Sequence, residues 1–279
     1  MAEKIFKKKK DFLVCVDSDG CAMDTMDVKH KECFGPCLVR EWKLEKYKKE
    51  ILERWNEINL YTVTRGINRF KGLALMLKEI DGKYAAIKGL EDLLFWTGNT
   101  RETSNASIKK EIEKKDSACL KKALNWSLEL NKAIDALSDD RKKPFSKVKE
   151  TLEKIHSVAD VAIVSSANRS AVIEEWTKYA LVGSVDVILT QEDGDKAHCI
   201  GRMKGEGYGE GKILMVGDAD GDRQSAEKNG VYFYPILVRR ETESWQKLSS
   251  EALGRFIGGE FGGEYQQSLI QAFYKNLGV

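Results

Sequence analysis

The stretch Phe12-Leu13-Val14-Cys15-Val16-Asp17-Ser18-Asp19-Gly20 indicates the fold class of this chain. Its first five residues form a short, continuous run of strand-forming apolar residues, which is the pattern of a strand buried on both faces of a parallel sheet. Side chains two positions apart in an extended chain project to the same side, so Asp17 and Asp19 direct two carboxylates into one crevice. Gly20 then permits a sharp turn.

Four further apolar runs predict strands, and all of them lie beyond residue 150. They span residues 158–164, 185–189, 213–216 and 231–238. The last run contains Pro235, which lacks a backbone donor and favours an edge position. Helical stretches separate the runs at residues 146–155, 171–181 and 224–229. Because strands that alternate with helices indicate βαβ units, we predict an α/β fold with an open, mostly parallel sheet and helices on both faces.

The middle of the chain has helical periodicity instead. Apolar residues spaced by three or four occur in residues 44–58, 70–80 and 120–134, and residues 24 to about 140 contain no convincing strand. The simplest organisation is an α/β core of residues 1–23 and 140–279, interrupted after its first strand by an all-helical domain of residues 24–139. The polar run 138–144 then returns the chain to the core.

Length and composition exclude several classes of protein. The 279 residues allow one large domain or two ordinary ones, and 42% hydrophobic with 32% charged residues is typical of a globular chain. A net charge of +2 does not argue for a nucleic-acid partner, and no apolar run approaches the roughly 20 residues that cross a bilayer. The basic first ten residues do not resemble a signal peptide, and the six cysteines lack disulfide-framework spacing, so we expect a reduced, cytoplasmic protein without membrane partners. The oligomeric state is left open.

The residues that follow the predicted strands are the candidates for a site, because ligands of open α/β sheets bind beyond the carboxyl ends of the strands. Besides Asp17 and Asp19 they are Ser165, Ser166, Lys196, Asp218 and Asp222. Serine hydroxyls and the N–H groups that begin a helix can bind an anion. Aspartates offer the hard oxygen ligands of Mg²⁺, which usually takes one or two carboxylates together with a substrate phosphate. The set therefore predicts a site for Mg²⁺ and a phosphate group.

In their order and rough spacing, these motifs resemble those of the haloacid dehalogenase superfamily of phosphotransferases. The similar segments are Asp-x-Asp-Gly after the first strand (14–20), a strand ending in Ser (161–165), the lysine at 196 and Gly-Asp-x-x-x-Asp at 217–222. The resemblance covers the core, about half of the chain, and implies a Rossmann-like sheet with a helical cap. It also implies a Mg²⁺-dependent phosphatase that hydrolyses a small phosphorylated metabolite.

The same resemblance implies roles for the acidic residues. Asp17 would be the nucleophile that forms an aspartyl-phosphate, and Asp19 would be the general acid and base. Mg²⁺ would be held by Asp17, the main-chain carbonyl of Asp19 and Asp218, with Asp222 supporting the site. An acid at position 19 favours a phosphatase or phosphomutase over a dehalogenase.

The resemblance also assigns the phosphoryl-binding groups, which would be Ser165, Ser166 and Lys196. Lys196 departs from the family pattern because the usual proline does not follow it. Two alternatives remain open from the residues alone. One is a phosphomutase of the same superfamily, and the other is a non-catalytic binding or regulatory module on the same fold.

A few residues outside these motifs are also candidates for function. Arg65 and Arg69 would share one face of a predicted helix and could contact an anionic substrate tail, although surface salt bridges are the more common role of such residues. His30, Cys33 and Cys37 are three possible zinc ligands without an evident fourth, so packing is the simpler interpretation. Cys21 follows the first motif closely and is interpreted as a buried, inert thiol.

Overall fold

The structure is a computed structural model that describes residues 6–100 and 102–279. The first five residues of the basic N-terminal stretch lie outside the described residues, as does Arg101. The chain divides into two compact units. One comprises the chain up to Met26 together with Asp139–Val279, and the other comprises Asp27–Ser138.

The first unit contains the parallel sheet that the sequence predicts. The strands of the described residues are β1 (Leu13–Val16), β2 (Met23–Asp24), β3 (Lys143–Pro144), β4 (Asp160–Val164), β5 (Val187–Leu189), β6 (Ile213–Gly217) and β7 (Tyr232–Pro235). Five of them form one sheet in the order β5-β4-β1-β6-β7, and every pairing in it is parallel. The α/β class is therefore confirmed, and Pro235 lies on an edge strand as expected.

Strand β1 lies at the centre of this sheet. Val16 is in register with Ile163 of β4 on one side and with Val216 of β6 on the other. All residues of β1, β4 and β6 are buried. A central strand covered on both faces explains why its sequence is continuously apolar rather than alternating. The residues that follow these three strands consequently meet at one edge of the sheet.

A second, very short sheet was not expected from the sequence. Met23 of β2 pairs with Pro144, and Asp24 pairs with Lys143, in an antiparallel ribbon. Each strand has only two residues, and one of them is a proline, so neither gives a periodic signal. The prediction that residue 24 begins a region without strands is therefore wrong at its first residue.

The second unit is helical. Its segments are α1 (Met26–Val28), which begins one residue before the unit, α2 (Gly35–Glu41), α3 (Lys48–Asn56), α4 (Arg69–Ile80), α5 (Leu90–Asn99), α6 (Asn105–Lys114) and α7 (Ala118–Asp135), with π-helical turns at Lys29–Phe34 and Glu57–Tyr61 and a 3₁₀ turn at Glu45–Tyr47. The apolar spacing in 70–80 and 120–134 correctly predicts α4 and α7. The apolar spacing in 44–58 does not correspond to a single helix. It runs through the 3₁₀ turn, α3 and the π-helical turn that follows α3.

An aromatic cluster forms the core of the helical unit. The rings of Trp55 and Trp126 meet edge to face at 6.0 Å between centroids, and Phe34 packs against both. The Trp55 indole N–H donates to Nδ1 of His30 at 3.1 Å, and His30 stacks on Phe34. His30 is thus a buried packing residue, in agreement with the simpler interpretation of the sequence.

The remaining helices belong to the first unit and pack around the sheet. They are α8 (Val148–Val158), α9 (Arg169–Lys178), α10 (Lys196–Lys204), α11 (Asp220–Asn229), α12 (Glu241–Lys247), α13 (Leu253–Gly258) and α14 (Glu264–Asn276), with 3₁₀ turns at Asp139–Arg141, Val182–Ser184 and Gln191–Asp193 and a π-helical turn at Leu248–Ala252. Among the described residues, no helix combines the length and the apolar character that a membrane span requires.

The aromatic cluster provides a test of this packing. We expect Trp126→Ala to destabilise the helical unit by about 3–5 kcal/mol, because a fully buried indole is replaced by a cavity. Phe95→Ala, on a side chain that is 66% exposed, should change the free energy of unfolding by less than about 0.5 kcal/mol. Urea unfolding followed by circular dichroism measures both. Equal effects of the two substitutions would contradict the packing described.

Candidate active site

The loop that carries Asp17 and Asp19 begins where β1 ends. Asp17 is buried, and its backbone N–H donates to the carbonyl of Val216 at 3.0 Å, so the hydrogen bonding of the sheet extends one residue beyond the strand. Gly20 has φ of +80°, a conformation that glycine adopts without strain, and its N–H donates to the carbonyl of Met23 at 2.8 Å. The turn predicted at Gly20 is therefore present, and it fixes the direction of the Asp17 and Asp19 backbone.

Asp19 is less buried than Asp17. Its carboxylate accepts a hydrogen bond from the hydroxyl of Thr25, which is fully buried. A carboxyl that is partly exposed and accepts a hydrogen bond from a hydroxyl can exchange protons with water or with a ligand. This environment differs from that of Asp17, so the two carboxylates predicted to share one crevice are chemically distinct.

Two tryptophans brace this loop from distant parts of the chain. The indole N–H of Trp176, in α9, donates to the hydroxyl of Ser18 at 2.9 Å. The indole N–H of Trp245, in α12, donates to the carbonyl of Cys21, also at 2.9 Å. Both rings are fully buried. Neither tryptophan could be selected from the sequence, because a tryptophan in a helix gives no sign of the polar group that its N–H will contact.

Asp218 and Asp222 follow β6 and complete an acidic group with Asp17. One carboxylate oxygen from each of the three residues lies within 4.8 Å of the other two, and all three side chains are buried. Among the acidic, histidine and cysteine side chains of the described residues, these three aspartates are close enough together to hold a metal ion. The backbone N–H of Ala219 donates to Asp222 at 3.1 Å and orients it.

Lys196 supplies the positive charge of the site. Its Nζ lies 2.9 Å from Oδ1 of Asp17 and 2.5 Å from Oδ1 of Asp222. The lysine is the first residue of α10, and the carboxylate of Asp195 caps that helix by accepting from the N–H of His198 at 2.7 Å. The absence of a proline after Lys196 therefore does not prevent its ammonium from reaching the acidic group.

Burial and charge act in opposite directions on these groups. Burial raises the pKa of Asp17 well above its usual range, the Lys196 ammonium opposes this rise, and Asp222 and Asp218 add to it. For Lys196, burial favours a lower pKa, but the carboxylates of Asp17 and Asp222 outweigh it, so its pKa is raised and the ammonium stays charged. Burial raises the pKa of the Cys21 thiol, and the carboxylates of Asp218, Asp17 and Asp222 add to the rise. This thiol therefore stays protonated near neutral pH.

Ser165 and Ser166 follow β4, next to the central strand. Ser165 is buried, its N–H donates to the carbonyl of Leu189 at 3.0 Å, and its hydroxyl accepts from the N–H of Ala167 at 3.2 Å. Ser166 is exposed. Helix α9 begins directly afterwards and is capped by Asn168, whose side chain accepts from the N–H of Ala171 at 2.9 Å. The predicted combination of serine hydroxyls and a helix N-terminus is therefore present at this strand end.

The donor set is suited to Mg²⁺. Three buried carboxylates from Asp17, Asp218 and Asp222 provide oxygen ligands, which hard divalent cations prefer, and the described residues place no imidazole or thiolate in the group. The carboxylates also outnumber the single lysine beside them. A divalent cation among them would therefore reduce the mutual repulsion of the acids.

The expectation for Arg65 and Arg69 needs correction. The two residues do not share a helix, because Gly66 has φ of +71° and α4 begins only at Arg69, with Asn68 as its cap. Arg65 is buried and donates to the carbonyl of Leu60 at 2.8 Å.

The partners of Arg69 are neutral. Its Nη1 donates to Oδ1 of Asn131 at 2.7 Å and to the hydroxyl of Ser127 at 3.2 Å, and its guanidinium lies over the ring of Phe34. Within the part of the chain that the structure describes, no carboxylate pairs with Arg69, and burial lowers its pKa. The surface salt bridge considered from the sequence is therefore not its role.

Comparison with known proteins agrees with this geometry. The family model of haloacid dehalogenase-like hydrolases matches residues 83–236, more than half of the chain and including Ser165, Lys196, Asp218 and Asp222. The chain therefore belongs to the haloacid dehalogenase-like hydrolases, and the resemblance seen in its motifs is confirmed. Asp17 precedes the matched residues and joins the site through the pairing of β1 with β4 and β6.

The solved structures that are similar to this chain share little of its sequence. A candidate phosphoglycolate phosphatase from Lactobacillus delbrueckii subsp. bulgaricus is 15% identical, with 95% of this chain and 99% of that chain covered and a TM-score of 0.50. A haloacid dehalogenase-like hydrolase from Streptococcus pneumoniae is 12% identical, with 84% and 90% covered and a TM-score of 0.49. Among curated proteins, no sequence matches this chain.

Residues 217–222, which begin with the last residue of β6 and which we call the acidic loop, contain two glycines that allow a matched test of the site. A Cβ on Gly217 would lie 2.4 Å from the carboxyl group of Asp222, whereas a Cβ on Gly221 would have no neighbour within 4 Å. We expect Gly217→Ala to displace Asp222, to destabilise the fold by about 1–3 kcal/mol and to reduce hydrolysis of a phosphate ester. Gly221→Ala should have no such effect. Thermal unfolding and activity measure both, and an active, stable Gly217→Ala variant would contradict the close contact.

Proposed function

We propose that this hydrolase is a Mg²⁺-dependent phosphatase that acts on a small phosphorylated metabolite through an aspartyl-phosphate. The observation that carries the proposal is the contact of the Lys196 ammonium with both Asp17 and Asp222, beside Asp218. Groups from three separate strand ends converge there. A site with one fixed cation and several buried carboxylates is suited to a divalent metal ion and an anionic substrate.

Asp17 acts as the nucleophile in this proposal. One of its carboxylate oxygens attacks phosphorus, the bond from phosphorus to the ester oxygen breaks, and Asp19 transfers its proton to the leaving oxygen. Asp19 then accepts a proton from water as that water attacks the aspartyl-phosphate, which releases inorganic phosphate and restores Asp17. The hydrogen bond from Thr25 and the partial exposure of Asp19 are consistent with a group that must both donate and accept a proton.

Mg²⁺ would be held by Asp17, the main-chain carbonyl of Asp19 and Asp218, with Asp222 as the supporting acid. When bound, the ion supplies positive charge to the phosphoryl oxygens. Asp222 has two tasks that the contacts support. Asp222 accepts a hydrogen bond from the backbone N–H of Ala219, and this bond orders the acidic loop. Asp222 also holds the Lys196 ammonium beside Asp17.

The phosphoryl group would be bound by Ser165, Ser166 and Lys196. The ammonium of Lys196 counters the negative charge that the phosphoryl group brings to the buried site. The Ser165 hydroxyl accepts a backbone hydrogen bond and keeps its own proton available for donation to an anion. The N-terminus of α9 adds backbone N–H groups and the favourable end of a helix dipole.

The helical unit is proposed to act as a cap that selects the substrate, with Arg69 as a candidate contact. Arg69 supports this role because its described partners are neutral, which leaves its positive charge uncompensated. The cellular location that we propose is the cytoplasm, in agreement with six cysteines that all remain as free thiols.

Substitution of the nucleophile tests the mechanism. We expect Asp17→Asn to reduce hydrolysis of p-nitrophenyl phosphate by about 10³-fold or more, because an amide cannot form the aspartyl-phosphate. Since burial disfavours the charge of Asp17, the variant should unfold at the same temperature as the parent or a higher one. Asp160→Asn is the matched control, because Asp160 is also buried but lies at the amino-terminal end of β4, whereas Asp17 follows the carboxyl-terminal end of β1. A fully active Asp17→Asn enzyme would overturn the mechanism.

Removal of Mg²⁺ tests the metal site. We expect EDTA to abolish hydrolysis and excess Mg²⁺ to restore it. Because an ion that binds only the folded state stabilises it, Mg²⁺ should raise the unfolding temperature of the parent more than that of Asp218→Asn. Activity assays and differential scanning calorimetry measure these effects. Full activity in EDTA, or equal stabilisation of the two proteins, would argue against the proposed ligands.

A further inference from the structure

The C-terminal helix α14 is fastened to the edge of the sheet next to the acidic loop. The ring of Phe273 packs edge to face on that of Phe233 in β7, at 5.6 Å between centroids. The side-chain amide of Asn276 donates to the carbonyl of Val238 at 3.3 Å, and the side-chain oxygen of Gln266 accepts from the N–H of Phe233 at 3.0 Å. Strand β7 in turn pairs with β6, which leads into Asp218.

From this helix, Tyr274 reaches the acidic loop itself. Its hydroxyl donates to Oδ1 of Asp220 at 2.6 Å. The same carboxylate oxygen accepts from Nε of Arg223 at 2.9 Å, and the guanidinium of Arg223 lies 5.6 Å from the centre of the Tyr274 ring. The other oxygen of Asp220 accepts from the side chain of Gln224 at 2.5 Å. Both carboxylate oxygens of Asp220 are therefore engaged by its neighbours, and Asp220 is not one of the three acids that could hold a metal ion.

Asp220 has a particular place in the chain. It lies two residues after Asp218 and two residues before Asp222, at the first turn of α11. Three buried carboxylates within 4.8 Å of one another repel, and this repulsion favours a loop that moves away from Asp17. The bond from Tyr274 holds the middle of that loop to a helix that is itself fixed on the sheet.

We propose that Tyr274 is a positioning residue for the metal site, acting through Asp220 to hold Asp218 and Asp222 beside Asp17. This inference rests on the proposed function, since it assumes that these carboxylates bind Mg²⁺. It extends the site to α14, which lies beyond the residues that match the family model. Tyr274 touches neither substrate nor metal in this arrangement, so its contribution is to order the ligands before the ion binds.

The test is the affinity of the substrate-free protein for Mn²⁺, used as a paramagnetic probe of the Mg²⁺ site and measured from the signal of free Mn²⁺ in electron paramagnetic resonance. We expect Tyr274→Phe to weaken Mn²⁺ binding by about three- to tenfold. The Mg²⁺ concentration for half-maximal hydrolysis of p-nitrophenyl phosphate should rise in the same proportion, while kcat at saturating Mg²⁺ changes by less than about twofold. Metal affinity and kcat should respond differently because the bound ion itself holds Asp218 and Asp222 beside Asp17 once it occupies the site.

Tyr208→Phe is the matched control. The hydroxyl of Tyr208 also donates to an aspartate, at 2.7 Å from Oδ2 of Asp160. This aspartate lies at the amino-terminal end of β4, whereas the acidic loop begins at the carboxyl-terminal end of β6. The substitution removes the same kind of bond and should leave Mn²⁺ affinity within about twofold of the parent, even where the unfolding temperature falls. Equal weakening by the two substitutions would mean a general loosening of the fold and would overturn the positioning role.

A double-mutant cycle checks that the effect passes through Asp220. Once Asp220→Ala has removed the acceptor, adding Tyr274→Phe should weaken Mn²⁺ binding no further. Additive effects would overturn the proposal, as would a Tyr274→Phe protein that binds Mn²⁺ as tightly as the parent. A parent protein that binds no Mn²⁺ would contradict the proposed metal site itself, and the inference with it. If Tyr274→Phe folds poorly, Asp220→Ala alone still tests the contact, because it removes the acceptor of the same hydrogen bond.

Discussion

The ammonium of Lys196, placed between two buried carboxylates, is the interaction on which the site depends. Asp17, Asp218 and Asp222 form three pairs whose ligand oxygens lie within 4.8 Å of one another. At that upper limit, two ionised carboxylates would repel by about 3 kcal/mol at an effective dielectric constant near 20. Without a positive charge, the simplest relief would be protonation of an acid or movement of a loop. Lys196 opposes both responses because it contacts Asp17 and Asp222 together. The ammonium therefore reduces the cost of a negative charge at the buried Asp17, although burial still raises the pKa of this carboxyl.

Sheet topology brings these groups together from distant parts of the chain. Because β1 lies between β4 and β6, the loop of Asp17 is flanked by Ser165 on one side and by Asp218 on the other. Each group is then fixed locally by an interaction of its own. Buried indole N–H groups hold the Asp17 loop, the N–H of Ala219 orients Asp222, and Asp195 caps the helix that begins with Lys196.

Much of this arrangement could be predicted from the sequence, for a physical reason. Continuous apolar runs identify strands that are buried on both faces, and the polar residues directly after them must lie at the edge where such sheets bind ligands. The candidate residues that can be predicted in this way are Asp17, Ser165, Lys196 and Asp218. The bracing contacts of Trp176 and Trp245 could not be predicted, because they join helices to a loop more than 150 residues away and leave no local pattern.

The helix predicted around Arg65 was wrong although the sequence held the signals for its absence. Gly66 takes a positive φ, and Asn68 caps the helix that follows, so the chain breaks between the two arginines. The spacing of four residues outweighed these local signals in the prediction. The two-residue ribbon of β2 and β3 could not be predicted, since pairing over two residues depends on chain segments that meet only after the core has formed.

That small ribbon has a consequence for how the molecule can change over evolutionary time. Met23 and Asp24 leave the core beside Lys143 and Pro144, which return to it, so the helical insert is joined to the sheet through two adjacent strands. An insertion point whose two ends already touch tolerates lengthening, shortening or replacement of what lies between them, because the host core keeps its own contacts. On the proposed function, a new substrate selectivity could therefore be acquired by exchange of the inserted helices, while the groups proposed to attack phosphorus are inherited unchanged.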